Sequence, residues 1–253
     1  MRKAIEGTYT YLELVACAVA FLPVMSVVRF AHRKDEVPRV PGQWTRRFGR
    51  VTGKLTPLWK FEIQGTPPPD IDRRAYVVVA NHMSNADPWL LSWLPWDMQW
   101  IGKEELFRMP LFGWLMTLGG DIPVRRGEGE SVRAMLAQCR RSLQHGMSLM
   151  IFPEGHRAKE GGTKPFKDAA FQLAVEAGAP VLPVAVAGTR ACMPKGALWF
   201  ARAHAIARIL EPIETKGMKP EQVAEIRDLA HARVIAAVAD LEAELAREQA
   251  GQA

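Results

Sequence analysis

The chain has 253 residues, 48% of them hydrophobic and 24% charged, with a formal net charge of +6. That length allows one α/β domain with an appendage, and the apolar content excludes a wholly disordered chain. The positive balance favours anionic partners: a membrane surface, a phosphorylated substrate or nucleic acid. Cys17, Cys139 and Cys192 are far apart and form no C-x-x-C pair, which points to a reduced compartment rather than a disulfide scaffold.

Tyr9 to Phe30 is apolar except for Thr10, Glu13, Ser26 and Arg29. A bilayer crossing needs ~20 apolar residues, but Glu13 and Pro23 interrupt this run. No small-x-small cleavage site closes it, so it does not read as a signal peptide. Arg2 and Lys3 precede it, and Arg29, Arg33 and Lys34 follow. These flanks predict a helix lying in the membrane interface or anchored there hydrophobically; a buried core helix is the alternative. Residues 32 to 60 combine Pro38, Pro41 and Gly42 with Arg46, Arg47, Arg50 and Lys54, and interleave Trp44 and Trp59. Such a stretch suits the headgroup zone of an anionic leaflet. No DNA- or RNA-binding signature accompanies it, so nucleic acid is not an expected partner.

Phe61-Glu62-Ile63 reads as a strand ending at Gly65, followed by the proline-rich loop Thr66 to Asp70. Tyr76 to Val79 is a short β-branched run, the pattern of a buried strand. A short helix is expected over Pro88 to Trp96, and a helical stretch over Lys103 to Leu118, bent near Pro110 and Gly113. Ile122 to Val124 is a short strand with Arg125 and Arg126 at its end. Ser131 to Gln144 is an amphipathic helix. Ser148 to Phe152 is a further buried strand, capped by Pro153-Glu154-Gly155-His156-Arg157. A helix over Phe166 to Ala177, a strand over Pro180 to Ala187, a weaker strand over Ala203 to Leu210 and a long helix from Lys219 to about Arg247 complete the chain. Alternating strands and helices indicate an α/β layered sheet.

One stretch carries chemistry. Asn81-His82 closes the Tyr76–Val79 strand, and Asp87-Pro88 reads as the start of the next helix, with Asp87 as N-cap. The carboxyl edge of an open α/β sheet is where ligands gather. A carboxylate on one imidazole nitrogen fixes the tautomer, and the other nitrogen can then take a proton from a hydroxyl. A structural His–Asp contact is the alternative for this pair alone. Arg126, Glu154 and Arg157 follow two other strands and can share the same rim. An arginine fork matches phosphate oxygens, although a lone surface arginine is more often simply solvated.

Four ordered blocks then resemble the glycerolipid acyltransferases. They are Asn81-His82-x4-Asp87, Gly120-x-Ile122-Pro123-Val124-x-Arg126, Phe152-Pro153-Glu154-Gly155-x-Arg157 and Val181-x-Pro183-Val184. Lys103 to Leu106, Pro110, Gly113, Gly161, Pro165, Phe166 and Lys167 add to the likeness, which covers about residues 58 to 215. The bacterial 1-acyl-glycerol-3-phosphate acyltransferase type is the nearest pattern. The resemblance implies a mostly parallel sheet flanked by helices and preceded by a membrane-docking element, with residues 1–57 docking and 58–253 forming the α/β domain. It implies transfer from acyl-CoA or acyl carrier protein to lysophosphatidic acid or a related lyso-lipid. It implies no cofactor, no metal and no covalent acyl-enzyme. By the same likeness His82 is the general base and Asp87 orients it. Arg126, Arg157 and Lys103 bind the acceptor phosphate, and Glu154-Gly155 shape its pocket. The implied place is the cytoplasmic face of a bacterial inner membrane, on an anionic surface. The family's E-G-T-R-S is here Glu154-Gly155-His156-Arg157-Ala158, an acid before the second-block arginine is replaced by Arg125, and K-x-G is Lys167-Asp168-Ala169. These departures bear on the acceptor, so a different lyso-lipid, such as lyso-ornithine lipid or another lysophospholipid, stays open. A non-catalytic lipid-binding protein is the rival from another class.

Overall fold

The computed structural model describes residues 2–157, 162–193 and 200–251. Ala158 and Gly161 lie outside the described residues. Two helices lead in, α1 (Arg2–Ala31) and α2 (Arg39–Leu55), followed by strand β1 (Trp59–Gln64). Then come β2 (Val77–Ala80), α3 (Asp87–Leu91), β3 (Met98–Lys103), α4 (Glu104–Phe107), α5 (Phe112–Gly119) and β4 (Ile122–Val124). Next are α6 (Gly129–Gln144), β5 (Ser148–Ile151), α7 (Ala169–Ala177), β6 (Val181–Ala187) and α8 (Thr189–Cys192). The chain ends with β7 (Ala203–Ile209) and α9 (Val223–Gly251), which follows a 3-10 turn at Pro220–Gln222.

The seven strands form one sheet in the order β1-β7-β6-β2-β5-β3-β4. From β6 to β4 all neighbours are parallel; β7 is antiparallel to β6 and parallel to β1. The mostly parallel α/β sheet expected from the sequence is therefore the fold. β2 sits at its centre and is buried on both faces, as its unbroken valine run requires. Val77 and Val79 pack into a core with Phe171, Val234 and Leu241, while Val78 and Ala80 face Leu90, Trp96 and Met98. Because side chains alternate along a strand, β2 joins both cores at once.

Four elements differ from expectation. Met98–Lys103 is a strand, although Gln99 and Gly102 weaken its pattern; the Gln99 amide is buried and bonds to the Gly120 carbonyl and the Ser142 hydroxyl. Residues 39–55 form a regular helix, because Pro41 and Gly42 fall in its first turn, where the missing N–H costs nothing. A Cβ on Gly49 would lie 2.5 Å from Ser92 Oγ, so the glycines of α2 allow it to press close to the chain after α3. The Pro88–Trp96 helix ends at Leu91, since Pro95 bars a helical Leu94. The helix expected from Phe166 starts at Ala169, because the Lys167 N–H is held by the Pro153 carbonyl at 3.0 Å.

Asp121, just after α5, tests how this packing treats charge. Its Oδ1 accepts the Trp100 N–H at 3.3 Å. Burial pushes its pKa from 3.8 up to about 7, against the pull of the Trp100 N–H and of Arg46. The folded-state value lies above the unfolded one, so stability falls as pH rises through this window. Asp121→Asn keeps the acceptor oxygen and removes the charge. It should raise the melting temperature relative to the wild type, with a gain that grows from about pH 4 and levels off near pH 7. At pH 8 the gain should be on the order of 1–2 kcal/mol after allowance for solvent screening. Thermal melts of both proteins from pH 4 to 8 check the trend; a pH-independent difference would contradict it.

Candidate active site at the end of the central strand

The site begins with a weld between strands. The Asn81 side chain donates to the Val186 carbonyl at 2.9 Å and accepts the Val186 N–H at 2.8 Å. This fixes where the chain leaves β2, one residue before His82. His82 Nδ1 lies 2.7 Å from Asp87 Oδ2. Asp87 is fully buried, and the same oxygen accepts the backbone N–H of Met83 at 2.9 Å and of Ser84 at 3.1 Å. Its other oxygen accepts the Thr189 hydroxyl at 2.5 Å.

Asp87 is not the N-cap. Helix α3 starts at Asp87 itself, with Ala86 in the cap position and no side-chain cap bond. The carboxylate instead turns back on the 83–84 loop, whose N–H groups lie inside and have no strand partner. The four-residue spacer is thus just long enough to close a loop onto its own acid. A carboxylate only accepts, so His82 Nδ1 carries the hydrogen, and in the neutral ring the lone pair is on Nε2. Phe152 stacks on the imidazole with ring centroids 4.2 Å apart and planes 18° off parallel, which limits rotation of the ring. The His82 side chain remains 14% exposed, so the pair is reachable from outside.

The end of β5 supplies the second part. Glu154 Oε1 accepts the His82 backbone N–H at 3.0 Å. Burial pushes the Glu154 carboxyl upward, opposed by the N–H groups of His82 and Lys164 and by the charge of His82. Gly155 has φ +75°, and a Cβ there would lie 3.0 Å from Lys167 Nζ. The Lys167 amine is thereby brought against the turn that carries Glu154. His156 and Arg157 are exposed beyond it. Desolvation lowers the His156 pKa, and so do the charges of Arg126, Lys167, Lys164 and Lys103. Cations from three parts of the chain therefore act together on the potential at one imidazole.

Of the residues expected at the site, His82, Asp87 and Glu154 are in direct contact, and Gly155 adjoins them. Arg126 and Arg157 are exposed and form no ion pair among the described residues. Lys103 belongs to the cationic rim but is partly neutralised by Glu105 at 2.9 Å. Arg125 does not join the rim: its guanidinium is held by Glu104 and Glu128. The cation that departs from the family pattern at 125 is therefore engaged elsewhere. Lys164, Lys167 and Thr189 were not among the expected site residues. Lys167 was visible only as part of a matching pattern, and Thr189 only as a hydroxyl after a strand. The buried Cys192 thiol is pushed up to about 12, by burial first and then by Asp87, so it stays protonated at neutral pH.

A mostly parallel sheet thus carries an oriented imidazole at the end of its central strand, beside a rim of cations. The family model described as Acyltransferase matches residues 60–187, half of the chain, and the chain belongs to that family. It is 31% identical to the 1-acyl-sn-glycerol-3-phosphate acyltransferase of Escherichia coli, over 85% of this chain and 88% of that one. It is 34% identical to a chloroplastic 1-acyl-sn-glycerol-3-phosphate acyltransferase of Brassica napus, over 61% of this chain. There the match spans 46% of the plant protein, so the chain aligns with about half the length of such relatives. The crystal structure of the 1-acyl-sn-glycerophosphate acyltransferase PlsC from Thermotoga maritima superposes with a TM-score of 0.73 at 26% identity. That superposition covers 95% of this chain and 98% of the other.

Proposed function

We propose that this chain transfers a fatty acyl group from acyl-CoA or acyl carrier protein to the free hydroxyl of 1-acyl-glycerol-3-phosphate, giving phosphatidic acid. The observation that carries this reading is the His82–Asp87 pair beside a cationic rim. His82 Nε2 takes the proton of the acceptor hydroxyl as its oxygen attacks the thioester carbonyl. The tetrahedral oxyanion collapses, the carbon–sulfur bond breaks, and the leaving thiolate takes the proton from the imidazolium. Asp87 holds the ring and stabilises its cation during the step. Arg126, Arg157 and Lys103, joined by Lys167, hold the acceptor phosphate, since a planar fork and point charges together suit a dianion. Glu154 and Gly155 shape the pocket floor.

His156 stands among these cations where the family pattern has a hydroxyl. This favours a second reading within the class: an acceptor whose phosphate carries a further headgroup. Purified protein with acyl-CoA and, separately, with acylated acyl carrier protein, each against a panel of lyso-lipids with products identified by mass, separates the two. Lysophosphatidic acid should be the preferred acceptor; preference for a headgroup-bearing lyso-lipid would select the second reading, and no acylated product with any of them would exclude both.

The N-terminal segment is proposed to dock the enzyme on the cytoplasmic face of a bacterial inner membrane. Leu14, Ala18 and Met25 of α1 pack on the protein, whereas Leu12, Val19, Val27 and Phe30 are exposed. The Glu6–Ala31 stretch has a mean hydropathy of 2.2 over its most apolar window. One packed face and one bare apolar face suit a helix lying at the bilayer surface. Arg47 lies over the Trp44 ring at 4.8 Å, a pairing suited to lipid headgroups. In that division residues 1–57 dock and 58–253 perform the chemistry, close to the lipid that supplies the acceptor.

Three outcomes follow from this proposal. His82→Ala should lower kcat by about 10²–10⁴ with the melting temperature little changed; activity within twofold of wild type would exclude it as the base. Arg126→Ala should raise KM for lysophosphatidic acid more than KM for the acyl donor, while Arg125→Ala should leave the acceptor KM unchanged; steady-state kinetics of the two variants check the assignment. Replacing Leu12, Val19 and Val27 with Asp spares the packed face of α1, and should release the protein from vesicles in flotation and lower its activity on vesicle-borne acceptor.

A further inference from the structure

Strand β6 ends in a turn that aims one hydroxyl at the His82–Asp87 pair. Gly188 has φ +82°, and a Cβ there would lie 2.1 Å from the His204 carbonyl oxygen. No other residue fits this turn without moving β7. The turn delivers Thr189, which is completely buried, with Oγ1 2.5 Å from Asp87 Oδ1. The other carboxylate oxygen already receives the His82 ring and the Met83 and Ser84 N–H groups. Three donors on one oxygen define a hinge and leave the carboxylate free to rotate about it. The donor on the second oxygen removes that freedom.

We propose that Thr189 is a positioning residue for acyl transfer: its hydroxyl fixes the plane of the Asp87 carboxylate and, through it, the angle of the His82 ring. The proposal rests on His82 as the base. The hydroxyl also draws negative charge toward Oδ1, away from the imidazole. The other charged or titratable groups facing the pair are Glu154, through the His82 N–H, and Cys192, through Asp87. Neither donates to Asp87 Oδ1, so neither replaces Thr189.

Thr189→Val keeps the volume and removes the hydroxyl; Thr189→Ser keeps the hydroxyl. The valine variant should lose about 10–100-fold in kcat, the scale expected for a misplaced catalytic group. KM for both substrates should change less than about threefold, because no substrate contact is lost. The acid limb of kcat/KM against pH should move to higher pH, since more carboxylate charge then reaches His82. The serine variant should recover most of kcat. In an Asp87→Ala background Thr189→Val should add less than about twofold, as two residues acting in series do not add. Melting temperatures of all variants separate a folding loss from a kinetic one. A valine variant with wild-type kcat and pH profile, beside an inactive His82→Ala, would overturn the role of Thr189 and leave the base standing. A full further loss in the Asp87→Ala background, or a loss that serine does not recover, would also overturn it. An active His82→Ala would overturn the base and the positioning role together.

Discussion

The site depends on one buried carboxylate. Asp87 has no exposure to solvent, and a bare charge in that place would be very costly. It is tolerable because four donors surround it: the His82 ring, two backbone N–H groups and the Thr189 hydroxyl. Those donors come from the loop after β2 and from the first residue of α8. The carboxylate therefore ties the central strand's loop to the end of β6, and the imidazole is one of the ties. Orientation of the imidazole and satisfaction of the charge are the same arrangement.

A second layer holds that loop from the backbone side. Asn81 joins β2 to β6, and Glu154 at the end of β5 accepts the His82 N–H. His82 thus lies between the two neighbours of the central strand and is fixed from both. The β5 turn that provides Glu154 also carries His156 and Arg157, and Lys167 returns to it through the Pro153 carbonyl. The same turn that steadies the His82 loop therefore also carries positive charge. On α1, Leu12, Val19, Val27 and Phe30 stay bare of protein contacts that would bury them, and leaving an apolar CH₂ in water costs about 0.8 kcal/mol.

Much of this was legible in the sequence, for particular reasons. The valine run of β2 is unambiguous because the strand is buried on both faces, and the H-x4-D spacing follows from a loop that closes on its own acid. Positions where a residue does two things were harder. Asp87 has the composition of an N-cap, yet its carboxylate serves the preceding loop, since those N–H groups are buried and the helix N–H groups are not the ones it reaches. Met98–Lys103 lacks β-branched alternation because Gln99 is used to bridge Gly120 and Ser142. The α2 helix was masked by Pro41, Gly42 and Gly49, which are start and packing signals rather than breaks. Arg125 and Arg126 are adjacent cations that only the block spacing distinguishes in the sequence; in the structure Glu104 and Glu128, brought near by α4 and by the loop before α6, hold Arg125 alone. Thr189 lies far along the chain from Asp87, and no spacing rule links the two.

The account's central claim is that Asp87 holds His82 with the hydrogen on Nδ1 and a free lone pair on Nε2. Nitrogen NMR of protein with ¹⁵N-labelled histidine measures this directly. The chain has six histidines, and a His82→Gln sample identifies the signal of interest. The account predicts that the neutral form of the His82 ring is protonated at Nδ1, with that proton strongly downfield through its bond to Asp87. A His82 signal from the Nε2–H tautomer, or one that interconverts freely between the two, would contradict it.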